Sequence, residues 1–595
     1  MQEGQEVTRS QPFLLTSWPS CKNKLLGLSI IEEETMRYAI VTAVMLGCLV
    51  RVEGQQMPDW FSGVQAGRSA ARASHAMVAS SQPLASQAGL DVLKRGGNAV
   101  DAAIAMAAVL NVTEPNMTGI GGDAFMMIYS SKTKKIEALN ASGRAPRKLT
   151  RDVVTSKGIT QMPLSGMETI TVPGAFDGWI TVLEKHGTMK LPELLAPAID
   201  LAENGFPLME KTVADWLPEV DKLKRNEAAA STYLINGNAP KPGTVFVQKN
   251  LARTFRTLAK GGRDAFYRGE IARTIVDYVQ KHGGYLTMED LAEHKSTWVE
   301  PISTTYKGHT LYEFPPNNQG LTALLLLNIL EPIDLKGMQS DPVRYYHTLI
   351  EATKIAFADR NRYIADPAFS KVPVTELLSK DYAAKRRALI NPDKAIDPPA
   401  YGDIKMGSDT TYFTVVDKDR NAVSFINSLF NSFGSGIVAG DTGIMLHNRG
   451  SGFVLEADHP NRLEPGKRPF HTLIPAMVFK DGKLLMSYGV MGGDIQAQGH
   501  VQVLLNLIDR GLNLQQAIDA PRIRYMNGRN VMMEDGLTAA VIAELVKRGH
   551  ERAFPPAGIM HRALMGGGQA IMIDPETGAL VGASDIRKDG LAIGY

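Results

Sequence analysis

The sequence predicts a layered α/β protein, on three observations. Amphipathic helices alternate with glycine turns over residues 81–129. The run Ala124-Phe125-Met126-Met127-Ile128-Tyr129 is apolar almost throughout. The last third turns to strand-turn units separated by helices. A strand that is apolar on both faces must be covered on both, and helices on either side of a sheet give layers.

Along the chain, residues 84–94 have helical period, Gly96-Gly97-Asn98 ends that helix, and residues 99–112 read as an Ala-rich buried helix. The turn Gly119-Ile120-Gly121-Gly122 then feeds the apolar strand. A phosphate cradle would need the G-x-x-x-x-G-K-[ST] pattern in strand-then-helix order, so this cluster reads as a tight structural turn. Residues 191–390 are mostly helical in pattern, for example 321–330 and 344–362. Residues 391–403 are rich in Pro, Gly and Asp, as expected of an exposed mobile loop, and end just before Asp409-Thr410.

After Thr410 the pattern becomes β. Thr410, Tyr412, Thr414 and Val416 alternate with Thr411, Phe413 and Val415. Residues 417–421 make a turn, and 422–428 return as a second strand. Further strands are expected at 474–479 and 570–573, and helices at 501–509 and 539–547.

At 595 residues, length alone suggests about four domains, a prior that a single large α/β layer often breaks. With 64 Lys+Arg against 62 Asp+Glu, the charge gives no reason to expect nucleic acid or an anionic membrane as partner. The two cysteines, Cys21 and Cys48, both precede the expected mature start. The mature chain therefore has no cysteine nucleophile, no Cys-ligated zinc and no intramolecular disulfide. No H-E-x-x-H and no other His/Cys ligand spacing occurs, so neither metal nor cofactor is expected.

Residues 38–50 are apolar, follow Met36-Arg37 and precede a polar stretch. They read as the apolar region of an export signal, shorter than the ~20 residues of a membrane span. Glu32, Glu33 and Glu34 do not suit a basic leader, which points to a start at Met36. The expected divisions are 1–54 (extension and signal), 55–409 and 410–595, with the product exported to a periplasmic or extracellular space and no stable membrane span.

Asp409-Thr410-Thr411-Tyr412-Phe413 looks like an internal cleavage site. A threonine hydroxyl is a poor nucleophile at neutral pH, but an N-terminal threonine carries its own base, an α-amine of pKa about 7.7–8.0. Taken alone, a Thr-Thr pair opening a strand is ordinary β-propensity.

Its surroundings change that. Gly96-Gly97-Asn98-Ala99-Val100-Asp101-Ala102-Ala103, Thr118-Gly119-Ile120-Gly121-Gly122, Asp409-Thr410-Thr411, Phe433-Gly434-Ser435-Gly436, Met491-Gly492-Gly493 and Gly582-Ala583-Ser584-Asp585 occur in this order. Together they resemble the γ-glutamyltranspeptidases (γ-glutamyltransferases, glutathione hydrolases) over residues 81–595. The resemblance implies the N-terminal nucleophile hydrolase fold, a four-layer αββα sandwich, and self-cleavage between Asp409 and Thr410 into large and small subunits that pair as a heterodimer. It implies an acyl-enzyme ester on Thr410, small-molecule γ-glutamyl donors such as glutathione, and water or an amino acid as acceptor.

By matching position, Thr410 is the implied nucleophile. Ser428 stands where the family has a threonine that hydrogen-bonds it, and Gly492 and Gly493 would offer backbone N–H groups to the oxyanion. The departures lie in donor recognition. The family's carboxylate-binding arginine is displaced by two residues, to Arg144, which either reaches the same pocket or serves as a surface ion pair. Phe430 stands at the family's asparagine, Arg449 at its glutamine, Gly452 at its aspartate and His471-Thr472 at its serine pair. Without the aspartate an ammonium loses its partner, and Arg449 would repel it. The short segment 453–469 suggests no lid and a more open pocket. These changes resemble an acylase-like branch acting on glutaryl-type or β-lactam amides. Two readings from other classes compete. A Ser-His hydrolase using His471 or His500 lacks any G-x-S-x-G elbow. A non-catalytic binding protein would remain uncut.

Overall fold

Two seven-stranded antiparallel sheets carry the fold of the computed structural model, which describes residues 67–397, 409–555 and 564–595. The first sheet runs, edge to edge, Ala71–Ala73, Leu580–Ser584, Gly567–Ile573, Lys483–Met491, Ala476–Lys480, His309–Glu313 and Ile302–Tyr306. The second runs Leu591–Gly594, Met77–Ser80, Asp409–Val416, Ala422–Phe430, Asp123–Ser130, Lys135–Ala141 and Thr297–Val299. The expected hairpin is therefore the centre of the second sheet.

Three apolar clusters account for the long apolar runs of these strands. One joins Val78, Met126, Phe413 and Phe425 of the second sheet to the helices Pro83–Lys94, Ala99–Thr113 and Ala175–His186. A second joins Val478, Tyr488 and Ala570 of the first sheet to Gly320–Leu330, Pro342–Tyr363 and Ile495–Ile508. The third draws on both sheets, with Phe125, Met127, Tyr412 and Ile426 from one and Met477, Met491 and Ile571 from the other. Thr410, Tyr412 and Thr414 alternate with Thr411, Phe413 and Val415 as expected, but both sets are buried, because both faces of the strand are covered.

Residues 69–595 form one compact unit. The helix Ala99–Thr113 starts on Asn98, whose side chain accepts from Val100 and Asp101 while Asp101 accepts from the Asn98 amide, a reciprocal cap. The helix expected at 501–509 begins earlier, at Ile495, directly after the Gly492-Gly493 turn. The Gly582–Asp585 motif is structural here. Asp585 takes Arg522 at 2.7 Å, Arg587 at 3.0 Å and the Gly568 amide at 2.8 Å, tying the C-terminal strands together. The expected export signal, both cysteines and residues 398–403 of the loop lie outside the described residues. Among the described residues no helix is long and apolar enough to cross a membrane.

Candidate active site

Thr410 sits where the central hairpin loses its register. Thr411 pairs with Asn427 but Asp409 pairs with Phe430, so Ser428 and Leu429 together oppose Thr410. Such a bulge re-aims side chains, and here it brings Thr410 Oγ1 to 3.1 Å from Ser428 Oγ. Ser428 Oγ also accepts from the Phe430 amide at 2.7 Å. The Gly119–Gly122 turn packs on the same strand so closely that a Cβ at Gly122 would lie 2.2 Å from the Ser428 carbonyl oxygen. Thr410 is only 2% exposed.

On the other side of the bulge, Thr411 Oγ1 donates to Glu114 Oε2 at 2.9 Å, and Ser81 Oγ donates to the same oxygen at 2.6 Å. Burial pushes the Glu114 carboxyl above the usual range, partly offset by these hydroxyls. Glu114 was not singled out from sequence. A lone glutamate after a helix carries no motif.

Gly492 and Gly493 form the turn between the strand Lys483–Met491 and the helix Ile495–Ile508, with φ of 124° and 69°. Both lie in the left-handed region that favours glycine, and a Cβ at Gly492 would come within 3.0 Å of Gly566 Cα. Gln319 braces this turn. Its Nε2 donates to the Gly493 carbonyl at 3.0 Å and to the Thr472 carbonyl at 2.9 Å. Its Oε1 accepts from Arg360 Nη1 at 3.1 Å, and Arg360 pairs with Asp494. One buried amide therefore fixes the glycine turn against the His471-Thr472 segment.

The residues expected to read the donor divide into two places. Arg449, Phe430, His471 and Thr472 come together around Asp123, which sequence reasoning missed. Arg449 Nε lies 3.5 Å from Asp123 Oδ2, its Nη1 donates to Thr472 Oγ1 at 3.3 Å, and its guanidinium stacks 4.1 Å from the centre of the Phe430 ring. His471 Nε2 lies 3.0 Å from Asp123 Oδ2, His447 Nδ1 lies 3.2 Å away, and the Gly143 amide donates to Oδ1 at 2.8 Å. Burial alone would push the Asp123 carboxyl up. His447 and His471 beside it instead hold it well below the usual range. Burial lowers the Arg449 guanidinium to about 9, and the Asp123 carboxylate only partly opposes this.

Gly452 follows Arg449 in the short 3-10 turn Arg449–Gly452. A Cβ there would stand 2.8 Å from the Phe470 carbonyl oxygen, so an aspartate does not fit without movement. Arg144 is elsewhere engaged. Its Nη1 donates to the Gly466 carbonyl at 3.1 Å and lies 3.8 Å from Asp366, with its side chain 39% exposed.

His471 is a packed histidine. Its Nδ1 accepts from the Leu473 amide at 3.4 Å, so Nε2 carries the hydrogen donated to Asp123. Burial, helped by Arg449, lowers its pKa to about 3. The unfolded histidine takes a proton near pH 6.5, the folded one only near 3. Stability therefore falls as pH drops through that window, by about 1.4 kcal/mol per pH unit for such a group. Urea unfolding between pH 6.5 and 4.5 is expected to show His471→Gln lowering the pH slope by about that amount. An unchanged slope would mean that His471 titrates normally. His500, the other histidine considered as a base, binds Glu313 Oε1 at 2.7 Å.

Among the described residues, His347, Glu351 and His550 are the group close enough to hold a metal ion. An ammonium already serves there. Lys354 Nζ donates to Glu351 Oε1 at 2.8 Å and to the Ile396 carbonyl at 3.2 Å, and the two imidazoles bond each other at 2.8 Å. The cluster is built as a clasp on residues 391–396.

Residues 85–595 match the family described as gamma-glutamyltranspeptidase. The chain is 43% identical over 526 residues to the glutathione hydrolase-like YwrD proenzyme of Bacillus subtilis (strain 168), covering 87% of this chain and 98% of that protein. It is 36% identical to the glutathione hydrolase proenzyme of the same organism, covering 87% of this chain and 91% of that protein. Among solved structures, the cephalosporin acylase from Bacillus halodurans superposes with a TM-score of 0.83 at 41% identity, covering 92% of this chain and 99% of that one.

Proposed function

This chain belongs to the gamma-glutamyltranspeptidase family, and from that premise we propose that it is a self-processing amide hydrolase and acyltransferase whose nucleophile is Thr410. The observation that carries the reading is the bulge that sets Thr410 Oγ1 3.1 Å from Ser428 Oγ, directly after Asp409.

In processing, Thr410 Oγ attacks the Asp409 carbonyl carbon, and the C–N bond breaks as the nitrogen takes a proton. Water then hydrolyses the ester between them. The products are a large chain ending at Asp409 and a small chain beginning at Thr410, which remain paired as subunits. The freed α-amine accepts the Thr410 hydroxyl proton when the oxygen attacks a donor amide. Gly492 and Gly493 N–H groups stabilise the oxyanion, a role in which losing one donor costs about 3–4 kcal/mol. The leaving amine takes the proton, and water or an amine accepts the acyl group from the Thr410 ester. No metal or cofactor enters these steps. The paired sheets and their flanking helices read as the αββα sandwich of N-terminal nucleophile hydrolases. The segment before residue 55 reads as an export leader.

The family name and the glutathione hydrolase proenzymes among the relatives support γ-glutamyl amides such as glutathione as donors. A second reading, a glutaryl-type or β-lactam amide as donor, is favoured by one observation. The position where the family keeps an aspartate for the ammonium is Gly452, walled by the Phe470 carbonyl, with the Arg449 cation three residues before it.

Acid-quenched mixtures of the protein with glutaryl or γ-glutamyl 4-nitroanilide are expected to contain the 410–595 fragment carrying one acyl group on Thr410. Turnover with the acyl group found elsewhere would overturn the nucleophile. A higher kcat/KM for the glutaryl donor supports the second reading, and a higher one for the γ-glutamyl donor restores the first.

A further inference from the structure

Arg449 is fully buried, yet two of its three nitrogens, Nε and Nη2, make no hydrogen bond. A buried cation normally has its donors satisfied, since each unmade bond costs the full desolvation of that group. Here the nearest carboxylate, Asp123, is shared with His447 and His471 and stands 3.5 Å from Nε, outside good hydrogen-bond range for a charged pair. Nη1 has only the neutral Thr472 hydroxyl, at 3.3 Å.

The position of this guanidinium ties it to the reacting hydroxyls. Its central carbon lies over the Phe430 ring, the Phe430 amide donates to Ser428 Oγ, and Ser428 Oγ is hydrogen-bonded to Thr410 Oγ1. The φ of 81° at Phe430 turns the chain at this point, immediately beyond the bulge. Thr410 and Thr472 are each 2% exposed, so both ends of this chain of contacts are buried. The other candidate cation, Arg144, is held by Asp366 and the Gly466 carbonyl.

We propose that Arg449 is the donor-carboxylate clamp of this site. Its Nη2 edge takes the distal carboxylate of an ω-carboxyacyl amide that has no α-ammonium, while Thr472 Oγ supports the same carboxylate. This rests on the reading of Thr410 as nucleophile and names the substrate class of that site. A carboxylate completes the guanidinium's hydrogen bonding by a bidentate pair, which a neutral acyl chain cannot do. An added ammonium would meet a cation, with Gly452 offering no anion.

The test compares glutaryl and pentanoyl 4-nitroanilides, of equal carbon count with and without the carboxylate, on processed enzyme. Arg449→Gln is expected to lower kcat/KM for the glutaryl donor by about 100-fold, mainly through KM, while the pentanoyl value changes by less than about threefold. Arg144→Gln should leave the glutaryl-to-pentanoyl ratio unchanged. Equal losses on both donors from Arg449→Gln, or a ratio that falls with Arg144→Gln instead, would overturn the proposal. If Arg449→Gln does not self-process, Arg449→Lys decides. A ratio lowered by about tenfold supports the clamp, and an unchanged ratio refutes it. Failure of the Thr410 reading is seen separately, as activity surviving in Thr410→Ala.

Discussion

Replacing Thr410 with alanine is expected to leave one uncut chain with no measurable amide cleavage, a loss on the order of 10⁴-fold or more. The effect is this large because one atom serves twice. The same Oγ1 makes the ester that splits the chain and the ester that carries the donor acyl group. Without the first reaction the α-amine base is never released. Thr410→Ser should retain both reactions at lower rates, because it keeps the hydroxyl and loses only the methyl that fixes its rotamer. Gel separation of the fragments and anilide release measure the two reactions independently. A Thr410→Ala protein that is still cut before residue 410 would remove Thr410 from processing.

Asp123→Ala is expected to destabilise the protein by about 3–5 kcal/mol. Asp123 is fully buried and is the carboxylate within ion-pair reach of Arg449, which is buried beside it. Removing it leaves a cation without its counter-charge, and also strips the Gly143 amide and His471 Nε2 of their acceptor. The double variant Asp123→Ala/Arg449→Met should recover much of the loss, since replacing both members of a buried pair costs far less than breaking it. Thermal midpoints of the two variants check this. Equal destabilisation by both would show that the pair itself contributes little.

The hairpin was legible because its alternation and its turn are local signals. Residues 417–421 close the loop, and the strands Asp409–Val416 and Ala422–Phe430 appear where expected. The resemblance to a family placed Thr410 next to Ser428, and the structure has those hydroxyls in contact. What stayed hidden is the polar scaffold between distant segments. Asp123 meets His471 across 348 positions, Gln319 meets Gly493 across 174, and Arg360 meets Asp494 across 134. Single polar residues without periodicity or motif carry no local sign of such partners. Short edge strands such as Ala71–Ala73 and Leu591–Gly594 were missed because their pairing partners lie at the far end of the chain. The sequence pattern starts the helix Ile495–Ile508 only at residue 501, because its first turns hold Gln496, Gln498 and Gly499, which interrupt the apolar period while remaining buried.

The most direct measurement is the intact mass and N-terminal sequence of every polypeptide in the purified protein. The expected result is two chains, the smaller beginning Thr410-Thr411-Tyr412-Phe413 and running to Tyr595, with amide cleavage present only in the cut form. An active protein that remains one chain, or one cut at any other bond, would contradict a mechanism founded on an N-terminal Thr410.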